Sequence, residues 1–122
     1  MYKTLNVWGR DLKLEIIYDV FTGEEVLDEQ ITALSEFLKK KDLLLQDPTQ
    51  VKEYCINDRG EEIGDSIDNI FKYVVPTSLY IKRETKKRVV ALLCNYKFDI
   101  EHGLAIVFEN EKLKEIGDQD II

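Results

Sequence analysis

Chemistry has one obvious place to gather on this chain. Asp99, Glu101 and His102 precede the apolar run Leu104-Ala105-Ile106-Val107-Phe108, and Asp118 and Asp120 follow Ile116. An antiparallel hairpin turning between Asn110 and Glu111 sets Gly103 opposite Asp118 and Glu101 near Asp120, so all five side chains meet at its base. Carboxylates so gathered suit a hard cation such as magnesium or calcium held through oxygen, or raise the pKa of an imidazole until it works as a general acid or base. A structural role competes with both: the aspartates cap turns and pair with His102, keeping the sheet edge soluble. His102 is the single histidine, and no serine or cysteine adjoins it, so a Ser-His or Cys-His mechanism has no local support.

A second group is chosen for contact rather than reaction. Lys82-Arg83-Glu84-Thr85-Lys86-Lys87-Arg88 reads as a basic hairpin tip on an otherwise acidic protein, with Tyr80 the nearby aromatic. Lys86, Lys87, Arg88 and Tyr80 are therefore candidates for touching a partner, as is Trp8, an amphipathic ring beside a turn. An RNA reader would add further aromatic platforms, which the tip lacks. There is no GxGxxG, Walker loop, HExxH, GxSxG or EF-hand loop, so no cofactor is implied.

The elements that must hold these residues follow from periodicity. Alternation in Leu12-Lys13-Leu14-Glu15-Ile16-Ile17-Tyr18-Asp19-Val20 marks a half-buried strand, with Leu12, Leu14, Ile16, Tyr18 and Val20 on one face, paired with Tyr2–Trp8 through a turn at Gly9-Arg10-Asp11. From Asp28, read as an N-cap, Ile31, Leu34 and Leu38, with Ala33 and Phe37 beside them, form a helical stripe that ends in Lys39-Lys40-Lys41. A second helix starts at Asp47-Pro48 and stops at Asn57-Asp58-Arg59-Gly60. A third is expected after Asp65 or Ser66, with Ile67, Ile70, Phe71 and Val74 on its buried stripe and Pro76 as its stop. Ser78–Lys82, Arg88–Phe98 and the closing hairpin supply four more strands, and Leu113 and Ile116 differ in parity, which calls for a bulge. The expected fold is α+β: a mainly antiparallel sheet, an N-terminal hairpin plus four C-terminal strands, with three helices packed mostly on one face.

The 122 residues fit a single domain, 1–122, able to bury roughly two-thirds of the surface its unfolded chain exposes. At 44% hydrophobic and 34% charged it has the composition of an ordered globular protein. The net charge of -7 disfavours phosphate backbones and anionic lipid and is compatible with a basic protein partner. There is no apolar leader at the amino terminus and no run of the ~18 apolar residues a membrane span needs, which points to the cytoplasm and away from membranes. Cys55 and Cys94 are far apart and set among apolar neighbours, so buried inert thiols are expected.

Val26–Leu38, the strand end Cys94-Asn95-Tyr96, Glu101–Phe108 and Ile116-Gly117-Asp118-Gln119-Asp120 together resemble a bacterial family of small α+β proteins described only as a domain of unknown function. The resemblance implies the fold and a bacterial cytosolic setting, and some members look like immunity proteins of toxin systems. It supplies no catalytic residues. The function expected is a non-enzymatic interaction module, immunity-type or regulatory, that binds a basic partner; the alternative is a metal-dependent enzyme or ligand-binding protein using the C-terminal carboxylates and His102.

Overall fold

The computed structural model describes residues 1–122. Strand β1 (Tyr2–Val7) and strand β2 (Arg10–Tyr18) form the N-terminal hairpin. Its turn is the two residues Trp8-Gly9, both at positive φ (51° and 87°), rather than the expected Gly9-Arg10-Asp11. A two-residue connection of this hand matches the twist of the flanking strands, and Arg10 and Asp11 are left to pair with Val7 and Asn6.

The chain then crosses one face through helix α1 (Asp28–Lys39), the single turn α2 (Lys41–Leu44) and helix α3 (Thr49–Ile63). It returns as strand β3 (Val74–Ile81), parallel to β2 from Glu15↔Ser78 to Tyr18↔Ile81. Strands β4 (Val89–Tyr96), β5 (Leu104–Glu109) and β6 (Lys112–Gly117) follow as an antiparallel meander. The six-stranded sheet is ordered β1-β2-β3-β4-β5-β6, mostly antiparallel as expected, with one parallel seam that hairpin reasoning does not contain.

Three local expectations are corrected. The N-cap of α1 is Leu27, not Asp28, and the buried stripe is Gln30, Ala33, Leu34 and Phe37, while Ile31 is 52% exposed. Helix α3 does not stop at Asn57–Gly60; it kinks at Arg59 (φ -136°, ψ 39°) and runs on to Ile63, ending at Gly64 (φ 96°). The third helix does not form. Asn69 accepts a hydrogen bond from Phe71 N at 3.1 Å, a local bond that competes with helix and leaves one 3-10 turn at Ile70–Lys72. Pro76 then lies inside β3 rather than before it. This is tolerated because β2 begins to pair only at Ser78, and the register shift between Pro76 and Ser78 takes up the irregularity.

The two faces of the sheet differ. On the helix side, Ala33, Leu34 and Phe37 of α1 and Val51 and Cys55 of α3 join sheet residues such as Leu14, Leu79, Leu92 and Leu104 in one core. The opposite face carries a small cluster, Val89, Ala91, Ala105 and Val107, against which Tyr80, Leu93, Ile121 and Ile122 pack. No helix is long and apolar enough to cross a membrane.

Candidate functional site

The closing hairpin forms, with the bulge that parity demanded, at the step from Val107 to Phe108 opposite Glu115 and Leu113. That bulge shifts the base by one residue: Ala105 pairs with Gly117, and Gly103 meets Gln119 rather than Asp118. The turn before β5 is closed by Gly103 N donating to Asp99 O at 2.8 Å. Gln119 N donates to His102 O (3.1 Å) and Gln119 Nε2 to Cys94 O (3.2 Å), so the end of the chain is bound to this turn.

Asp99 and His102 are brought together. Asp99 Oδ1 accepts from His102 N at 3.1 Å and lies 3.0 Å from Nδ1, which therefore carries the proton and donates. The carboxylate raises His102 above its ordinary value of 6.5, first through this hydrogen bond and then through its charge, with smaller contributions from Asp120 and Glu101. In return, the hydrogen bond from the His102 amide is the main reason Asp99 is held below 3.8. Whatever stability the pair contributes is present below pH 6.5 on the His102 side and is lost as pH rises through the raised pKa; on the Asp99 side it is lost as pH falls through the lowered one. Because His102 is the only imidazole, its NMR titration can be read without assignment ambiguity. We expect a midpoint above 6.5 that moves back toward 6.5 in Asp99→Asn, and an unchanged midpoint would remove the pairing.

The other three residues do not join this pair as ligands. Asp118 accepts from Asp120 N at 2.9 Å and so caps the short turn Gln119–Ile121, and Glu101 is exposed. No three His, Cys, Asp or Glu side chains converge in a way that could hold a metal ion. The thiols lie deep: burial pushes Cys55 up to about 11 and drives Cys94 up further, so neither is a ready nucleophile.

The basic tip is largely answered by the chain's own carboxylates. Arg88 makes a two-pronged contact with Glu111 (Nε to Oε2 2.7 Å, Nη2 to Oε1 3.0 Å), and Lys87 lies 3.3 Å from Glu109. Arg83 reaches Glu24 at 2.7 Å. Lys86 is exposed and unpaired. Tyr80 belongs to the small cluster on the open face rather than to the tip, and burial, then Asp19, pushes its hydroxyl up to about 12. Trp8 is half-buried, its ring centroid 5.7 Å from that of Phe71, at the rim of an apolar cavity of about 190 Å³.

A family described as a domain of unknown function (DUF6985) matches residues 2–122. The chain belongs to this family. No curated protein and no solved structure matches it. Residue roles in this DUF6985 domain therefore rest on geometry, and the geometry adds contacts that periodicity does not show. Asp58 of α3 accepts from Tyr96 OH at 2.8 Å, and Arg59 Nη2 donates to Phe98 O at 3.5 Å, which ties the kink of α3 to the Asp99 turn. Gln50, Glu53, Tyr54 and Asn57 line a groove between α3 and β6. Their i, i+3, i+4, i+7 spacing is visible in the sequence, but what they face depends on where β6 comes to lie.

Proposed function

We propose that this domain is a non-enzymatic protein-binding module, immunity-type or regulatory, whose acidic end meets a basic partner. One observation carries the reading: Asp58 from α3, Asp99 from the turn before β5 and Asp118 after β6 are drawn to a single end of the molecule. The Tyr96–Asp58, Arg59–Phe98 and Gln119–His102 hydrogen bonds draw them together. Tyr54 lies near all three: burial first, then Asp58 and Asp118, then Cys55 and Asp99, push its hydroxyl up. Arg59 answers Asp58 and Glu62 at 3.6 and 3.7 Å, yet the chain as a whole keeps its excess of carboxylates. Such a surface speeds encounter with a cationic protein and selects against anionic ones.

The test is affinity capture from the native source at low and moderate salt, with the wild type beside Asp58→Asn/Asp99→Asn/Asp118→Asn. The asparagines keep hydrogen-bond acceptors for Tyr96 and the two turns and remove only charge. A stoichiometric basic partner, retained at low salt and weakened by both salt and the triple variant, is the expected result. Recovery of no stoichiometric partner at either salt would overturn the proposal.

A further inference from the structure

The cavity beside Trp8 is walled by Leu45, Val51, Leu92, Ile106 and Phe108, all buried, and by half-buried Leu113. It is open at one side, where Leu43 stands 76% exposed and Asp47 and Gln50 mark the mouth. At about 190 Å³ it is larger than the roughly 150 Å³ engineered cavities that accept benzene. Gln50 and Leu113 also line the polar groove of about 340 Å³ between α3 and β6, so the two depressions adjoin across these side chains. The groove adds Glu53 and Glu115, and its cation Lys114 is turned toward Glu109 at 3.5 Å. At its far side lies Tyr54, beside the acidic end of the molecule.

We infer that these adjoining depressions are the docking track for an extended segment of the basic protein partner, with one apolar side chain seated in the cavity under Trp8 and Lys or Arg side chains against Glu53 and Glu115. The inference rests on the interaction reading above and deepens it. Charge selects the occupant. A free apolar molecule would fill the hole and leave the acidic track unused, whereas a peptide with one apolar anchor and neighbouring cations uses both. A buried anchor in a desolvated pocket, ringed by polar contacts that exclude water, is the arrangement in which a few residues carry most of the binding.

The probe is a tryptophan-free random peptide library displayed and selected on the whole domain, with the recovered peptides then titrated by the fluorescence of Trp8, the only tryptophan. Gln50→Phe plugs the mouth, and Glu53→Lys/Glu115→Lys reverses the track; all three positions are exposed, so the fold is retained, which far-UV circular dichroism checks. Expected are peptides pairing an apolar residue with Lys or Arg, a saturable change in Trp8 emission, and affinity weakened roughly tenfold or more by each variant and by replacing the anchor with serine. Basic peptides that bind both variants as well as wild type would overturn the track while leaving the basic-partner reading standing. Selected peptides without excess Lys or Arg would overturn both, and recovery of none would overturn the track. Saturable binding of toluene to the cavity with no peptide recovered would overturn the track in favour of a small apolar ligand.

Discussion

Gly103→Ala is expected to destabilise the fold by about 2–5 kcal/mol. Gly103 sits at φ 62°, where an L side chain costs about 1–2 kcal/mol. A Cβ there would also lie 2.5 Å from Gln119 Nε2 and 2.7 Å from Cys94 O. The Gln119 side chain can swing aside, at the loss of its bond to Cys94 O, but that carbonyl is main chain of interior strand β4 and cannot. Forced overpacking of this kind adds about 1–3 kcal/mol. Gly23 separates the two effects: its φ is 85° and nothing lies within 4 Å of its Cβ position. Gly23→Ala should therefore show the conformational cost alone, about 1 kcal/mol. Urea unfolding of both variants decides the matter, and equal losses would mean that close approach to β4 contributes nothing. Since the Gly103 amide closes the Asp99 turn, the same substitution should also bring the His102 titration toward its ordinary value.

The second large effect belongs to Gln30, fully buried in the first turn of α1. Its Oε1 accepts from Leu27 N at 2.9 Å, and its Nε2 donates to Asp19 O at 2.9 Å and Ile81 O at 3.1 Å. One side chain thus ties the helix to the ends of both parallel strands. Gln30→Glu keeps the shape but turns the donor into a second acceptor facing two carbonyls, with a charge that has no partner. At neutral pH this should cost about 3–5 kcal/mol, the range for an uncompensated buried charge. The penalty has a sign in pH. The folded state favours the protonated acid, so the folded pKa lies above the unfolded one, and stability is regained as pH falls toward the ordinary carboxylate range. Gln30→Met loses the same bonds without charge, so its loss should be smaller and independent of pH between 4 and 7 on the order-of-magnitude scale of lost buried hydrogen bonds, ~1–3 kcal/mol. Thermal melts of the two variants across that range are the measurement; a Glu variant as stable as wild type at pH 7 would sink the assignment.

Gln30 also shows where sequence reading reaches its limit. The apolar period of α1 is plain, and Ala33, Leu34 and Phe37 are buried as it requires, but Gln30 rather than Ile31 completes the buried face, because a glutamine is read as surface until two strand ends present their carbonyls to it. Strands β2 and β4 and the closing hairpin were legible because alternation, or a continuous apolar run, is a local signal that packing preserves. Ile67, Ile70 and Val74 were rightly placed in the core at helical spacing, yet the chain reaches it by bends and one 3-10 turn, since Asn69 satisfies its neighbour's amide locally. At the candidate site, pairing Asp99 with His102 needed only a short turn. The offset that sets Gln119 rather than Asp118 opposite Gly103 followed from a one-residue bulge whose existence parity revealed but whose position it did not.

The parallel seam has a kinetic meaning. From Val74 to Gly117 each strand pairs with the next through a short connection, whereas β1 and β2 join the sheet along four residue pairs only, after the chain has closed a loop through all its helices. Long closures come late in folding, so the meander is expected to be the nucleus and the N-terminal hairpin the last piece to dock. Run in reverse, the amides of β1 and β2 become the first large block of the sheet to exchange with deuterium in the native state, opening as one unit along that line.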